Sequence, residues 1–220
     1  MSAKTITRQG FLKTGCLSVT AAGLTICGVS PLIPNPDPAS IDLPTSTYGV
    51  RTMNKRILVA YASALGSTDD VAAEIGKTLS ANGISVDVKP IQGHLQTAGY
   101  QAVLIGSAVQ YGNWLPEAVE YVQANRKALN ELPVALFTVH ISNLGNDENN
   151  RWNRLAFLDA VRPLLDPVDE VFFAGKFDRR GAALLMPGWL ARFVPPIDME
   201  KWVKIRAWAE GLRPELLLQA

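Results

Sequence analysis

A short apolar run that ends in a hydroxyl-rich loop constrains this chain more than any other feature of its sequence. Residues 57–62 are Ile-Leu-Val-Ala-Tyr-Ala, and an apolar run of this length bounded by small residues is typical of a buried strand. The loop 63–68 follows, and after it Val71, Ile75 and Leu79 recur four residues apart, the spacing of one helix face. The sequence therefore predicts a strand, a loop and a helix in that order.

The loop itself predicts a phosphate-binding site. Backbone N–H groups at the start of a helix, together with the hydroxyls of Ser63, Ser67 and Thr68, are donors at the positive end of the helix dipole. Ser67 and Asp70 also have the spacing of a capping box. The motifs G-x-x-x-x-G-K-[ST] and G-x-G-x-x-G are both absent, which favours a single phosphate monoester over a polyphosphate with magnesium. The alternative is an ordinary capped turn without a ligand.

Composition limits the chemistry that the chain can perform with its own side chains. The 220 residues have a formal net charge of +1 and are 48% hydrophobic, which fits one α/β domain with an appendage and gives no case for nucleic acid. Cys16 and Cys27 both precede residue 30, and the two histidines, His94 and His140, lack metal-ligand spacing. We therefore expect no metal site and no catalytic side chain, and any redox chemistry requires an organic cofactor.

The N-terminal segment differs from the rest of the chain. Basic residues precede an uncharged stretch in residues 1–33, which predicts an export signal or an anchor, and a proline-rich linker follows in 34–54. Residues 7–13 resemble the twin-arginine export signal, although Gln9 replaces its second arginine. The chain is therefore expected to be exported or membrane-associated. If translation starts at Met53 instead, the protein is expected to be a cytoplasmic domain without this segment.

Residues 55–215 are expected to form one folded domain. Five strands alternating with helical patterns predict an α/β fold with a parallel sheet and right-handed crossovers. Beyond the first strand and helix, the patterns predict strands at 84–88, 102–107, 133–139 and 168–175, a loop at 108–116 that leads into a helix, an amphipathic segment at 152–165, and a last helix at 199–212.

Three loops are expected to meet at the carboxyl edge of this sheet, where such folds bind ligands. Phosphate donors at one end and aromatic and amide groups at the other fit a flat heteroaromatic with a phosphate tail, which describes flavin mononucleotide (FMN). The alternative interpretation of Tyr111 and Trp114 is that they are packing residues at the start of a helix and do not contact a ligand. The candidate cofactor-binding residues are Ser63, Ala64, Leu65, Gly66, Ser67 and Thr68; Val109, Gln110, Tyr111, Gly112, Asn113 and Trp114; and His140, Ser142 and Asn143.

Three blocks, at residues 62–68, 103–112 and 202–209, carry a family resemblance. In this order they resemble the flavodoxin superfamily and, within it, flavodoxin-domain proteins related to menaquinone-dependent protoporphyrinogen IX dehydrogenase. The resemblance implies a flavodoxin-like, doubly wound, five-stranded parallel sheet of order 2-1-3-4-5 in a three-layer α/β/α arrangement. It also implies that the first loop binds the FMN phosphate and that the loops 108–114 and 140–145 flank the isoalloxazine ring.

The function implied is an FMN-binding oxidoreductase that passes electrons to a quinone or a redox partner, including a protoporphyrinogen IX dehydrogenase-like activity. Two alternatives remain: an electron carrier without its own substrate, and a degenerate binding module that has lost FMN. Residues 179–194 combine basic and apolar side chains, which predicts contact with a membrane surface, a quinone or a tetrapyrrole. The alternative for this segment is a loop folded over the sheet edge.

Overall fold

The computed structural model describes residues 43–49, 56–64, 66–81, 84–93, 95–175 and 199–218, with side chains described up to residue 212. The described residues all belong to one compact unit, within residues 41–220. The predicted segment 1–33, Leu65, His94 and the predicted contact segment 179–194 lie outside the described residues.

Five parallel strands form the centre of the fold, as the α/β prediction requires. They lie in the order β3-β2-β4-β6-β7, which is the order 2-1-3-4-5 when the parallel strands are numbered alone. Val59, for example, lies beside Val88 on one side and Leu104 on the other. The five strands are β2 (Arg56–Ala62), β3 (Ser85–Pro90), β4 (Ala102–Gln110), β6 (Val134–His140) and β7 (Asp169–Ala174).

Helices cover both faces of the sheet and give the three layers. Alternate residues of β2 point to opposite faces: Ile57 and Val59 pack in one core, whereas Leu58 and Ala60 pack in the other, as the two-residue period of a strand requires. The first core is covered by α1 (Ser67–Ser80) and α4 (Met199–Leu218), and the second by α2 (Pro116–Leu129) and by residues near a 3-10 turn (Arg162–Leu164). A further helix, α3 (Glu148–Ala156), follows β6. None of the described helices is long and apolar enough to cross a membrane.

Two local predictions are wrong, and one predicted segment divides into two elements. Gly66, not Ser67, is the N-cap of α1, and no side chain caps that end, so the predicted capping box does not form. The predicted segment 152–165 is instead α3, which ends at Ala156, and the separate 3-10 turn. The predicted loop 108–116 contains a hairpin, because β4 continues to Gln110 and turns back into β5 (Asn113–Trp114).

A short strand, β1 (Ser46–Tyr48), lies within the predicted linker and pairs antiparallel with β3 at the sheet edge. Thr47 Oγ1 donates to Asp87 Oδ1 at 2.9 Å, and the Tyr61 hydroxyl donates to the Pro44 carbonyl at 2.7 Å. Part of the predicted linker therefore belongs to the folded unit. Three residues are too few for the alternation that identifies a strand in a sequence.

Candidate functional site

The carboxyl ends of three neighbouring strands bring the predicted loops together. Strand β4 lies between β2 and β6 and is parallel to both, so the segments that follow these three strands emerge at one edge of the sheet. The chain moves from β2 outward to β3 on one side and returns to β4 on the other. A crevice at such a reversal of strand order is where doubly wound sheets bind ligands.

The first loop leads into a helix whose N-terminal end has no side-chain cap. Gly66 has φ 85°, a left-handed conformation that glycine adopts without steric cost. Its N–H donates to Ser63 Oγ at 3.2 Å, and α1 begins at the next residue without a side-chain cap. The N-terminal end of a helix, with its positive dipole and its backbone N–H groups, is suited to an anion.

Thr68 supplies an independent sign of a ligand at this helix end. Its side chain is fully buried, yet Oγ1 has no hydrogen-bond partner. A buried hydroxyl without a partner is costly, and such a group beside a helix N-terminus fits one oxygen of a phosphate monoester. The first loop therefore combines an unpartnered hydroxyl and a helix N-terminus, groups of the type that bind a phosphate.

The second loop is a tight hairpin whose tip is exposed. Tyr111 and Gly112 are its two central residues and have φ of 52° and 79°, the backbone signs of a type I′ turn. Tyr111 is 94% exposed, which is unusual for a large aromatic side chain and suits a platform for a flat ring. Gln110 and Asn113 are also exposed beside it, and Val109 is half-buried.

Trp114 does not belong to this exposed tip. It is 2% exposed, and its indole N–H donates to Thr138 Oγ1 at 2.9 Å inside the protein. Ser107 Oγ meanwhile accepts the N–H of Leu115 at 3.0 Å. Of the two alternatives for Trp114, packing rather than ring stacking describes its position, because β5 turns its side chain back over β6.

The third loop is held from inside by a histidine. His140 is buried at the end of β6, with Nδ1 at 2.6 Å from the Ser142 carbonyl oxygen and its ring against Phe157 and Phe172. Burial lowers the pKa of His140, the Ser142 carbonyl opposes this, and the charge of Arg154 lowers it further. The imidazole is therefore a neutral support for the loop rather than an exposed ligand contact.

The same loop is held from outside by Arg154, a residue that the sequence patterns did not indicate. Arg154 Nη1 donates to the carbonyls of Asn143 and Gly145, both at 2.6 Å. Asp147 caps α3 by accepting the Asn150 N–H at 3.0 Å. An aspartate directly before a helical segment, as Asp147 is, is a sequence signal for a helix N-cap. Nothing in the local sequence points to Arg154, which lies eleven residues after Asn143.

A cleft of about 460 Å³ lies beside this third loop, between β7 and the start of α4. Its wall includes His140, Arg154, Phe172 and Lys201. Among the described residues, no group of three or more His, Cys, Asp or Glu side chains has the arrangement of a metal site.

The sequence comparisons agree with this architecture. A model of the flavodoxin domain matches residues 58–184, more than half of the chain. Two curated relatives are protoporphyrinogen IX dehydrogenases (quinone). The one from Escherichia coli K12 is 26% identical over 88 residues, which cover 39% of this chain and 49% of the relative. The one from Leishmania major is 24% identical over 102 residues, 44% of each protein. The chain thus spans about half the length of the curated relatives it matches.

A solved structure supports the fold. The oxidised flavodoxin 2 from Bacillus cereus superimposes with a TM-score of 0.50 at 18% identity, covering 73% of this chain and 99% of that protein. At this identity the likeness concerns the fold alone.

Proposed function

We propose, because this chain belongs to the flavodoxin domain family, that it is an FMN-dependent oxidoreductase whose electrons pass to a quinone. The chain is a flavodoxin-like redox protein, and the flavodoxin domain implies FMN as its cofactor. Bound FMN supplies reversible transfer of one or two electrons. The protein's own contribution is to hold the cofactor, orient it and set its electronic surroundings.

The unpartnered hydroxyl of Thr68 is the observation that carries the proposal. It lies in the first turn of α1, after a Gly66 turn that leaves the helix end uncapped. Thr68 Oγ1 and the N–H groups of this turn would hold the FMN phosphate, and Ser63 would keep the turn in shape through its bond to Gly66. A phosphate oxygen would give Thr68 Oγ1 the hydrogen-bond partner that it lacks among the described residues.

The ring end of the site is assigned to the other two loops. The exposed Tyr111 at the hairpin tip would stack on the isoalloxazine ring, and the segment after β6 would border its other side. His140 and Arg154 fix that segment from two directions. A loop held in this way favours binding, because less conformational entropy is lost when the cofactor is ordered.

The quinone as acceptor is proposed from the two curated relatives, whose names include that substrate. The net charge of +1 also argues against an electron carrier that docks through an acidic surface onto basic partners. The mixed apolar and polar cleft beside β7 has the size of a small-molecule site.

The proposal is tested with FMN-loaded protein that has been reduced without oxygen. Mixing with a water-soluble naphthoquinone should reoxidise the protein-bound cofactor far faster than an equal concentration of a one-electron carrier protein does. Protoporphyrinogen IX is then supplied as reductant, and protoporphyrin fluorescence reports its oxidation. Reoxidation by the carrier protein alone would contradict the quinone assignment and favour the electron-carrier alternative.

A further inference from the structure

We propose that Arg154 is a positioning residue that orients the peptide groups of the segment 141–147 and raises the reduction potential of the bound cofactor. The inference rests on the proposed function, since it concerns FMN held at this edge of the sheet. It goes beyond that function because it assigns a role to a helix residue outside the three loops.

The geometry of one guanidinium nitrogen is the first step. Arg154 Nη1 lies 2.6 Å from the carbonyl oxygens of both Asn143 and Gly145, so one cation holds two alternate peptide groups of the loop. Hydrogen bonds from a charged donor are stronger than neutral ones. Asn143 has φ 57°, a left-handed conformation uncommon outside glycine, and these bonds help to stabilise it.

The second step follows from the planarity of the peptide bond. In a trans peptide the C=O and the next N–H point in opposite directions, and the described chain has no cis peptides. Because both carbonyls point to Arg154, the N–H groups of Leu144 and Asn146 point away from it. Leu144 and Asn146 are exposed. The segment therefore presents two outward donors of the kind that a ring carbonyl or an anionic ring nitrogen accepts.

The third step concerns charge. Among the described residues no carboxylate forms an ion pair with Arg154, whereas the acids of the adjoining cleft are paired: Glu170 with Arg162 at 2.6 Å and Glu200 with Lys204 at 2.8 Å. Asp147 and Glu148 lie at the start of α3 and are exposed. The half-buried Arg154 thus places behind the loop a positive charge that is not ion-paired with any described carboxylate.

These features favour the reduced cofactor over the oxidised one. Reduction adds negative charge to the ring, and outward N–H donors backed by a cation bind that form more tightly. If the protein binds reduced FMN more tightly than oxidised FMN, the reduction potential of bound FMN rises by the same free energy, because the two equilibria are linked. For a two-electron couple, each tenfold preference for reduced FMN corresponds to about 30 mV.

The test compares Arg154→Met with Arg151→Met in FMN-loaded protein. Arg151 is exposed on the same helix, and its removal changes the net charge equally. The midpoint potential is measured by equilibration with a redox dye, and affinities for oxidised and reduced FMN are measured separately. We expect Arg154→Met to lose about tenfold in preference for reduced FMN, about 30 mV, and Arg151→Met to stay near the wild-type potential.

Arg154→Lys distinguishes the effect of holding the two carbonyls from the effect of the positive charge. It also provides a test if the methionine variant does not fold. Lysine keeps the charge but cannot reproduce the planar fork of arginine, so we expect a potential between those of the wild type and Arg154→Met. A wild-type potential in Arg154→Lys, or equal potentials in Arg154→Met and Arg151→Met, with FMN retained, would overturn this inference and leave the proposed function standing. A wild-type protein that binds no FMN would overturn both.

Discussion

The indole N–H of Trp114 donates to the Thr138 hydroxyl at 2.9 Å, and this buried bond ties the hairpin after β4 to the neighbouring strand β6. Three residues earlier, Tyr111 is 94% exposed. The two aromatic side chains of one loop therefore have opposite roles. Trp114 fixes the base of the hairpin, and Tyr111 is the residue available to a ligand.

Substituting each aromatic should separate these roles. Trp114→Phe removes a buried hydrogen bond and part of a ring, so we expect a loss of about 2 kcal/mol of unfolding free energy and little change in FMN affinity. Tyr111→Ala should leave stability unchanged and weaken FMN binding about tenfold, as loss of a stacking contact requires. Urea unfolding and FMN titration measure the two effects. The reverse pattern would contradict the assignment.

Thr68→Val should weaken FMN binding without harming the apoprotein. The methyl that replaces the hydroxyl has nearly the same shape, and the apoprotein loses a buried polar group that has no partner, so its stability should be equal or higher. Loss of a hydrogen bond to a charged phosphate should lower FMN affinity by about tenfold or more. Calorimetric titration measures the affinity, and chemical unfolding measures the stability.

Ser85→Ala is the matched control for this substitution. Ser85 Oγ is also buried without a partner, but it lies at the start of β3, at the opposite edge of the sheet. Its removal should leave FMN affinity unchanged. Equal losses of affinity in both variants would show that the first loop has no special role.

The strand, loop and helix around residues 57–79 and the parallel sheet could be predicted because their signals are local. An apolar run, small loop residues and apolar positions four apart all lie within this stretch. The direction of Trp114 could not be predicted in this way, because it depends on a hairpin whose second strand has two residues and on a hydroxyl in another strand. Arg154 was missed for a similar reason, since its role exists only once α3 packs beside the loop.

Asp87 should make stability depend on pH. Burial would raise its pKa, but hydrogen bonds from Tyr100, Thr47 and Arg56 and the charge of Lys89 outweigh burial, and the pKa is lowered from 3.8. A lowered folded-state pKa contributes stability that is present above the unfolded value and is lost as the pH falls through the folded value. The stabilisation is therefore complete at neutral pH and declines below about pH 4.

Asp87→Asn tests this network directly. Removing the charge leaves Arg56 without its partner at 2.6 Å, and we expect a loss of about 3 kcal/mol near neutral pH. The difference from the wild type should shrink as the pH falls from 5 to 3, because the Asp87 carboxyl of the unfolded wild type takes up a proton in this range while the folded one, with its lowered pKa, stays ionised to lower pH. Unfolding curves across this range measure it, and a difference independent of pH would contradict the prediction.

The strand β1 should contribute measurably to stability although it lies in the predicted linker. A chain that starts at Met53 lacks Thr47, which bonds Asp87, and Pro44, which accepts from Tyr61. It also leaves the edge of β3 unpaired. Compared with a chain that starts at residue 41, we expect a loss of about 3 kcal/mol, measured by urea unfolding.

Thr47→Val in the full chain isolates one part of this effect, with an expected loss of about 1.5 kcal/mol. Equal unfolding free energies of the two shortened chains would contradict the prediction and mean that β1 does not stabilise the domain. The strand was not predictable because three residues carry no periodicity, and its partner Asp87 is recognised only in the assembled sheet.

Parallel titrations with FMN and with riboflavin test the central claim most directly, since the two ligands share the ring and differ by the phosphate. If the uncapped helix end and Thr68 hold that phosphate, FMN should bind at least a hundredfold more tightly than riboflavin, a difference of about 2.7 kcal/mol. Purified protein should then keep its flavin absorbance through desalting. Equal affinities, or binding of neither ligand, would contradict the assignment of the first loop and the function built on it.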